Sequence, residues 1–360
     1  MPDEEKTAAP GNEASAGSAG HLPLPTGVNR KRRLYVYIVA FVVMHVLALA
    51  ALIPWLFSWT ALFLFIAGIY FFGQGINLCY HRVLTHRSVA LPRWLEHFWT
   101  LIALCCMEDT PCKWVTTHRH HHKHSDEPED PHSPRVTFWW SHFQWLTLHN
   151  SDTHSITAFQ KYSKDILADP FYMRLEKNVW LSPLVYLAHV ALFILAGALL
   201  GWLSEGTFIG AVQGGLSFLV WGVILRTVAV WHITWSVNSL THTFGYRNHD
   251  TDDRSRNNWI VGVLASGEGW HNNHHHDQAS ACNQHRWWEL DLTYCHIVIL
   301  KWMGLAKDII LPRHIRQQRN AEARAMNQGA GPDSSPAPSG KEEALNSGSR
   351  PANQTIDSAS

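Results

Sequence analysis

The sequence predicts an all-α membrane protein in which four transmembrane helices carry a helical cap. Three observations lead there: four long apolar runs, a basic cluster (Arg30, Lys31, Arg32, Arg33) just before the first of them, and histidines gathered close to the ends of the runs. Histidine supplies 25 of the 360 residues, too many to be incidental, while 29 basic side chains balance 29 acidic ones. With no basic excess to displace counterions, nucleic-acid binding is not expected. The mean hydropathy of -0.13 averages apolar blocks with polar tails and does not decide the class.

Residues 1–29 are rich in Gly, Ala, Ser, Pro and Glu, too poor in aliphatic clusters to offset chain entropy, and are expected to be disordered. Residues 34–57 and 61–80 are each long enough to cross about 30 Å of hydrocarbon. Only a tight turn separates them, so they read as a helical hairpin. The basic residues lie before the first run and after the second (Arg82, Arg87, Arg93), with none in the turn. That bias places both ends of the hairpin in the cytoplasm. Residues 179–203 and 208–237 form the third and fourth spans, joined by a turn without Lys or Arg. A helix over residues 94–107 is too short to span and suits the membrane interface, as does an amphipathic helix over 290–311. The aromatic cluster of residues 138–145 suits a membrane-facing surface. The core of the chain, residues 30–312, thus comprises the spans and a cytoplasmic cap from 81–178 and 238–312; residues 313–360 form a second polar tail, expected to be disordered. An integral, multi-pass protein follows, in a bacterial inner membrane or, in a eukaryote, the endoplasmic reticulum. The six cysteines contain no C-x-x-C pair and read as reduced packing thiols.

The histidines fall into boxes. His118, His121 and His122 lie at i, i+3 and i+4, as do His271, His274 and His275, so on a helix each set shares one side. His81 and His86 are five apart and would point about 140° away from each other on a straight α-helix. They must flank a helix end or serve different metals. Asn238 and His242, at i and i+4, share a face at the end of the fourth span, where His242 adds a ninth imidazole and Asn238 could hold a metal-bound water. Neutral imidazole binds iron, zinc, copper and nickel, and a structural zinc uses only four ligands, so two metals are the simpler reading. His120, His124, His132 and His276 read as non-ligands, and His45, His189 and His232 as satisfied polar groups within the spans. Asp126, Asp130 and Glu268 are either acceptors that orient ligand imidazoles or solvated loop charges.

The order H-R-V-L-T-H-R-S, W-V-T-T-H-R-H-H with D-P-H-S-P-R following, N-S-L-T-H, then G-E-G-W-H-N-N-H-H resembles the membrane fatty acyl desaturases, specifically their stearoyl-CoA branch, from about residue 33 to 307. The resemblance implies a cytoplasmic cap holding a non-haem di-iron centre. Its ligands would be His81, His86, His118, His121, His122, His242, His271, His274 and His275, with Asn238 acting through water and no catalytic group separate from the metals. It also implies that the acyl chain bends beside Trp114 and Thr234. The family has a Gln facing that Thr; Glu108 stands there in this chain, with Asp109 next to it.

The implied activity is O2-dependent insertion of a cis double bond at the ninth carbon of a saturated C16 or C18 acyl-CoA. Related membrane hydroxylases and acyl-lipid desaturases are the enzymatic alternatives, and a membrane metal-binding or transport protein the non-enzymatic one. Transport would place paired ionisable groups at mid-membrane depth in several spans, whereas these histidines collect at the span ends. The chain has no flavin, nicotinamide or haem motif, so a separate ferredoxin or cytochrome with its reductase is implied. Arg119, Lys123, Arg135, Arg247, Arg254 and Arg256 surround the boxes and read either as partners for coenzyme A phosphates or as ordinary charge near a membrane surface.

Overall fold

The computed structural model describes residues 21–329. The chain divides into two units, Met1–Arg313 and His314–Ser360. Four helices are long and apolar enough to cross a membrane: Tyr35–Leu52, Trp59–Thr85, Leu181–Glu205 and Phe208–Ser239. Their outer faces display Val36, Leu52, Leu187, Leu195 and Phe208, each more than half exposed. So much contiguous apolar surface is unfavourable in water and suits hydrocarbon. Trp59, Trp180 and Trp202 are likewise exposed near helix ends, where interfacial anchors belong.

Local chemistry sets the breaks between spans. Ile53 is extended before Pro54, which ends the first helix, and Ser58 caps the second by accepting the Ala61 N–H at 3.0 Å. Gly206 closes the third helix at φ 67°, and Thr207 caps the fourth through the Gly210 N–H. The third and fourth helices pack closely because small residues face each other. A Cβ added at Gly197 would lie 2.3 Å from the Gly214 carbonyl oxygen.

Two spans depart from α geometry. The second becomes a π-helix over Gly75–Thr85 and the fourth over Phe218–Leu225. The second helix therefore does not stop at residue 80 as expected; it continues to Thr85 and carries His81 on its own body. The fourth runs to Ser239 and carries Asn238. Below the spans, the buried core forms where the π-segment, the helix Arg93–Leu104 and the helix Pro111–Lys123 meet around Leu78, Cys79, Leu104 and Val115. Arg82 is buried in this region, bridging Glu268 and Asp291 at 2.8 and 2.9 Å. The segment after the fourth span, which carries Glu268 and Asp291, is tied to the second span by these paired charges as well as by apolar contact.

Several sequence expectations need correction. The fold is not purely helical: Val28–Arg33 pairs antiparallel with Leu148–Asn150. Part of the expected N-terminal disorder is thus ordered from residue 21, where Leu22 donates its N–H to the Arg135 carbonyl at 2.8 Å; residues 1–20 lie outside the described residues. The helix expected over 290–311 is confined to Leu292–Trp302, and Gly304, φ 73°, turns the chain just beyond it. The expected C-terminal disorder from 313 fails at its start, since Arg313–Gly329 is helical, as a run rich in Ala, Arg, Gln and Glu allows; residues 330–360 lie outside the described residues. In the aromatic cluster, Phe138–His142 is a helix with Trp140 buried and Trp139 exposed, so it contributes both to the interior and to the surface. All six cysteines are free and five are buried, as expected of packing thiols.

Candidate metal centre

The box histidines converge into two adjoining groups. One contains His81, His86, His118, His122 and His274; the other contains His121, His242, His271 and His275; within each, one ligand atom per residue lies within 4.8 Å of all the others. Each H-x2-H-H box serves both groups. His118 and His122, at i and i+4, join the first while His121 turns to the second; His271 and His275 join the second while His274 turns to the first. The helices Pro111–Lys123 and His271–His276 contribute reciprocally, two imidazoles to one group and one to the other. His122 and His275 touch across the divide with ring centroids 4.6 Å apart.

The π-helix resolves the position of His81 and His86. An α-helix would turn them apart, but His86 donates its N–H to the His81 carbonyl at 3.0 Å, an i→i+5 bond. One π-turn stacks the two residues on the same side, and their rings lie 4.7 Å apart. His86 is also the C-terminal cap of this helix, so the pair flanks a helix end and serves a single group.

The donor atoms are arranged for metal binding. Nε2–Nε2 separations are 3.2 Å for His81–His274, 3.0 Å for His118–His122, 3.0 Å for His122–His274 and 3.1 Å for His242–His271. Two metal–nitrogen bonds of about 2.0–2.1 Å at right angles place their nitrogens about 3 Å apart. His86 Nε2, His121 Nε2 and His275 Nε2 are buried without a hydrogen-bond partner. Burial holds His86, His118, His122, His271 and His274 well below the usual imidazole range, so these rings stay neutral, the form that ligates.

Four carboxylates set the rings from behind. His81 Nδ1 lies 2.9 Å from Glu268, His121 Nδ1 2.9 Å from Asp130, His242 Nδ1 2.8 Å from Asp126, and His275 Nδ1 is bonded to Asp253. Each carboxylate holds the proton on Nδ1 and directs the Nε2 lone pair inward. Burial alone would raise these acids, but the attraction of their cationic and imidazole partners outweighs it. Arg82 and His81 hold Glu268 down at about 2, and His242 and His275 hold Asp126 and Asp253 well below the usual range. Asp126, Asp130 and Glu268 were legible as candidates. Asp253 was missed, since nothing in T-D-D-R separates it from the solvated Asp252 beside it.

The remaining histidines stand outside the two groups. His120 donates to the Glu129 carbonyl, His124 pairs with Glu127, and His276 stacks on His249. His132 packs against His121 and forms a smaller group with it and Asp130. His189 is buried and bonded to Arg226 at 3.1 Å. His232 is bonded to His45 and His142, both at 3.0 Å, yet it is exposed at the helix surface, not buried as expected.

An apolar cavity opens beside the metal groups. Its wall includes Phe41, Met107, Trp114, Leu146, Trp231 and Thr234, and also His81, His118, His271 and Asn238. Trp114 stacks on His118, centroids 4.9 Å apart at 28°. Thr234 lies one helical turn before Asn238, and Glu108 has Thr234 and Trp114 as its polar neighbours. The three residues expected at the acyl bend therefore meet at one place in the cavity wall. Of the basic residues considered for coenzyme A, none lines the cavity. Arg119 is engaged by Asp165 and the carbonyls of Leu84, Thr85 and Tyr162, Arg135 by the Asp126 carbonyl, and Arg247 by Thr251.

Fold and site together define a membrane protein with two buried imidazole groups beside an apolar cavity. Residues 53–297 match the family model described as fatty acid desaturase, and the chain belongs to that family. It is 44% identical over 276 residues, 75% of this chain and 92% of the relative, to an sn-1 stearoyl-lipid 9-desaturase of Anabaena variabilis. It is 38% identical to an sn-2 palmitoyl-lipid 9-desaturase of a Nostoc strain, covering 79% of this chain and 93% of the relative. An acyl-CoA 5-desaturase of Anemone leveillei is also 38% identical, over 77% of this chain and 79% of the relative. The chain is thus a fatty acyl desaturase, an oxidoreductase of lipid metabolism.

Proposed function

We propose that this desaturase places a cis double bond at the ninth carbon of a saturated C16 or C18 chain carried on a membrane glycerolipid. The observation that carries the carrier assignment is the cavity: its wall contains no Lys or Arg to meet a coenzyme A phosphate, and it runs against the first and fourth spans through Phe41 and Trp231. The names of the Anabaena and Nostoc relatives support a lipid carrier. The Anemone relative supports acyl-CoA as the second reading.

The two imidazole groups fit two iron ions. His81, His86, His118, His122 and His274 would hold one; His121, His242, His271 and His275, with Asn238 through a water, the other. Bound iron would supply O2 activation and the oxidant that removes hydrogen from two adjacent methylenes. The chain's own residues do the rest. Trp114 and Thr234 bend the substrate and fix which methylenes face the imidazole groups, a positioning effect that decides regiochemistry more than affinity. The apolar wall excludes water from that step. Electrons come from a separate carrier, a ferredoxin or a cytochrome with its reductase, and the imidazole groups face the cytoplasm.

The carrier is tested with purified protein in vesicles, offered either sn-1 stearoyl glycerolipid or stearoyl-CoA with the other lipids unsaturated. Double bonds formed in the glycerolipid without passage through free acid or thioester support the proposal. Product formed only from stearoyl-CoA rejects it.

A further inference from the structure

The two imidazole groups differ in how they meet the outside. His121, His242, His271 and His275 are all buried, whereas in the five-histidine group His86, His118 and His122 are partly exposed. His118 opens on the apolar cavity, while His86 and His122, ring centroids 4.7 Å apart, line a separate polar cleft. No residue lines both openings. The five-histidine group therefore stands between two approaches, and the substrate needs only one of them.

The cleft forms where two helices are locked together. The π-helix that carries His81 ends at Thr85, and the last carbonyls of a helix lack partners within it. Arg119, on the helix Pro111–Lys123, donates to those of Leu84 and Thr85 at 2.6 and 3.0 Å and so holds its own helix, with His122 and Lys123, against His86. Gln278 and Ala279, just past the helix His271–His276, complete the wall.

The cleft is positive. Arg119 and Lys123 line it, with no carboxylate among the lining residues. Arg119 shares Asp165 with Arg87, the exposed residue after His86, and Lys123 is exposed, so three cations meet one carboxylate. The neighbouring acids are engaged elsewhere: Asp126 pairs with His242, Glu127 with His124, and Asp277 accepts the Arg313 N–H.

Reducing O2 to two waters takes four electrons and four protons. The two C–H bonds of the acyl chain supply two of each, a carrier supplies two electrons, and water supplies two protons. Electron transfer through protein slows steeply with distance, so the carrier must approach a ligand ring without obstructing the cavity. We infer that the cleft is the docking site of the electron carrier, an acidic one-electron protein, and that electrons enter through the rings of His86 and His122. At each docking the carrier is oxidised by one electron, the metal of the five-histidine group takes up that electron, and no bond is made or broken; two dockings serve one double bond. Lys123, Arg119 and Arg87 steer the encounter. The inference rests on the separate carrier proposed above.

The test uses full-length, iron-loaded protein in lipid nanodiscs, without O2 or acyl substrate, mixed with a reduced plant-type [2Fe–2S] ferredoxin as the acidic probe. Binding is measured by titration and electron transfer by the reoxidation of the ferredoxin. Both should weaken as salt rises. Lys123→Glu should lower both about 10-fold or more at low salt. Ala279→Trp, which places a ring in the cleft without changing charge, should slow transfer at every salt concentration. Lys31→Glu, on the Val28–Arg33 strand, should match the parent, and all variants should keep the parent's iron content and its rate of reduction by dithionite at high salt. Parent rates with ferredoxin in both Lys123→Glu and Ala279→Trp overturn the docking site and leave the carrier standing. Reduction of the parent by dithionite but not by ferredoxin overturns the acidic carrier and the site with it. If Lys123→Glu fails to accumulate, the parent's salt dependence and Ala279→Trp decide: transfer that ignores both rejects the inference.

Discussion

His86 donates its backbone N–H to the carbonyl of His81, five residues back, and this single π-turn puts both imidazoles into one group. Had the second span stayed α-helical, the first box would have pointed to two places. Loss of His86 should therefore empty the five-histidine group and leave the other. Bound iron is expected to fall from two per chain towards one in His86→Ala and in His274→Ala, while His120→Ala, whose ring donates to the Glu129 carbonyl, retains two. Metal analysis of the purified variants measures this. Full loading of His86→Ala together with loss in His120→Ala would reverse the ligand assignment.

Asp253 holds the Nδ1 proton of His275, so Asp253→Asn should leave the fold intact and weaken metal binding by about 10–100-fold, as removal of a ligand's orienting carboxylate does. Asp252 is exposed beside it, and Asp252→Asn should be silent. Titration with a competing chelator separates the two.

The spans and the boxes were legible because each rests on a local pattern: long apolar runs for the helices, i, i+3, i+4 spacing for His118, His121 and His122 and again for His271, His274 and His275. What spacing did not reveal is which imidazole turns to which group, since i+3 leans to one side of the helix face and i+4 to the other, and only the partner helix decides which matters. The π-turn at His81–His86 carries no local signature that distinguishes it from an α-helix ending early. Asp253 and the Arg82–Glu268–Asp291 cluster depend on residues far apart in sequence meeting in the core. The Val28–Arg33 strand was masked by a basic run that also reads as a topology signal.

Glu108 makes stability depend on pH. Below an ordinary Glu pKa of about 4.3 the carboxyl is protonated whether folded or unfolded, and there is no penalty. Between there and about 8 folding must take up a proton, so stability falls by about 1.4 kcal/mol per pH unit as pH rises, and no further above that. Glu108→Gln has no such slope. Melting temperatures at pH 5 and pH 8 are expected to favour the variant more at pH 8, and an equal difference at both would contradict a buried neutral acid.

Trp114 stacks on His118 and lines the cavity where the acyl bend is proposed, so Trp114→Ala should loosen the register of the chain more than it weakens binding. The expected product is a mixture of double-bond positions around the ninth carbon at a rate reduced about 10–100-fold, the scale of a misplaced substrate. Mass spectrometry of derivatised fatty acids reads the positions directly. A variant that is slow but keeps one position would assign Trp114 to packing alone.

The most direct test is expression of the chain in a host without a desaturase of its own, grown aerobically with stearate, followed by location of double bonds in the extracted lipids. The expected result is cis-9 monounsaturated C16 or C18 chains in membrane glycerolipids, lost in His121→Ala and His275→Ala. Hydroxy acids with no new alkene would contradict desaturation itself.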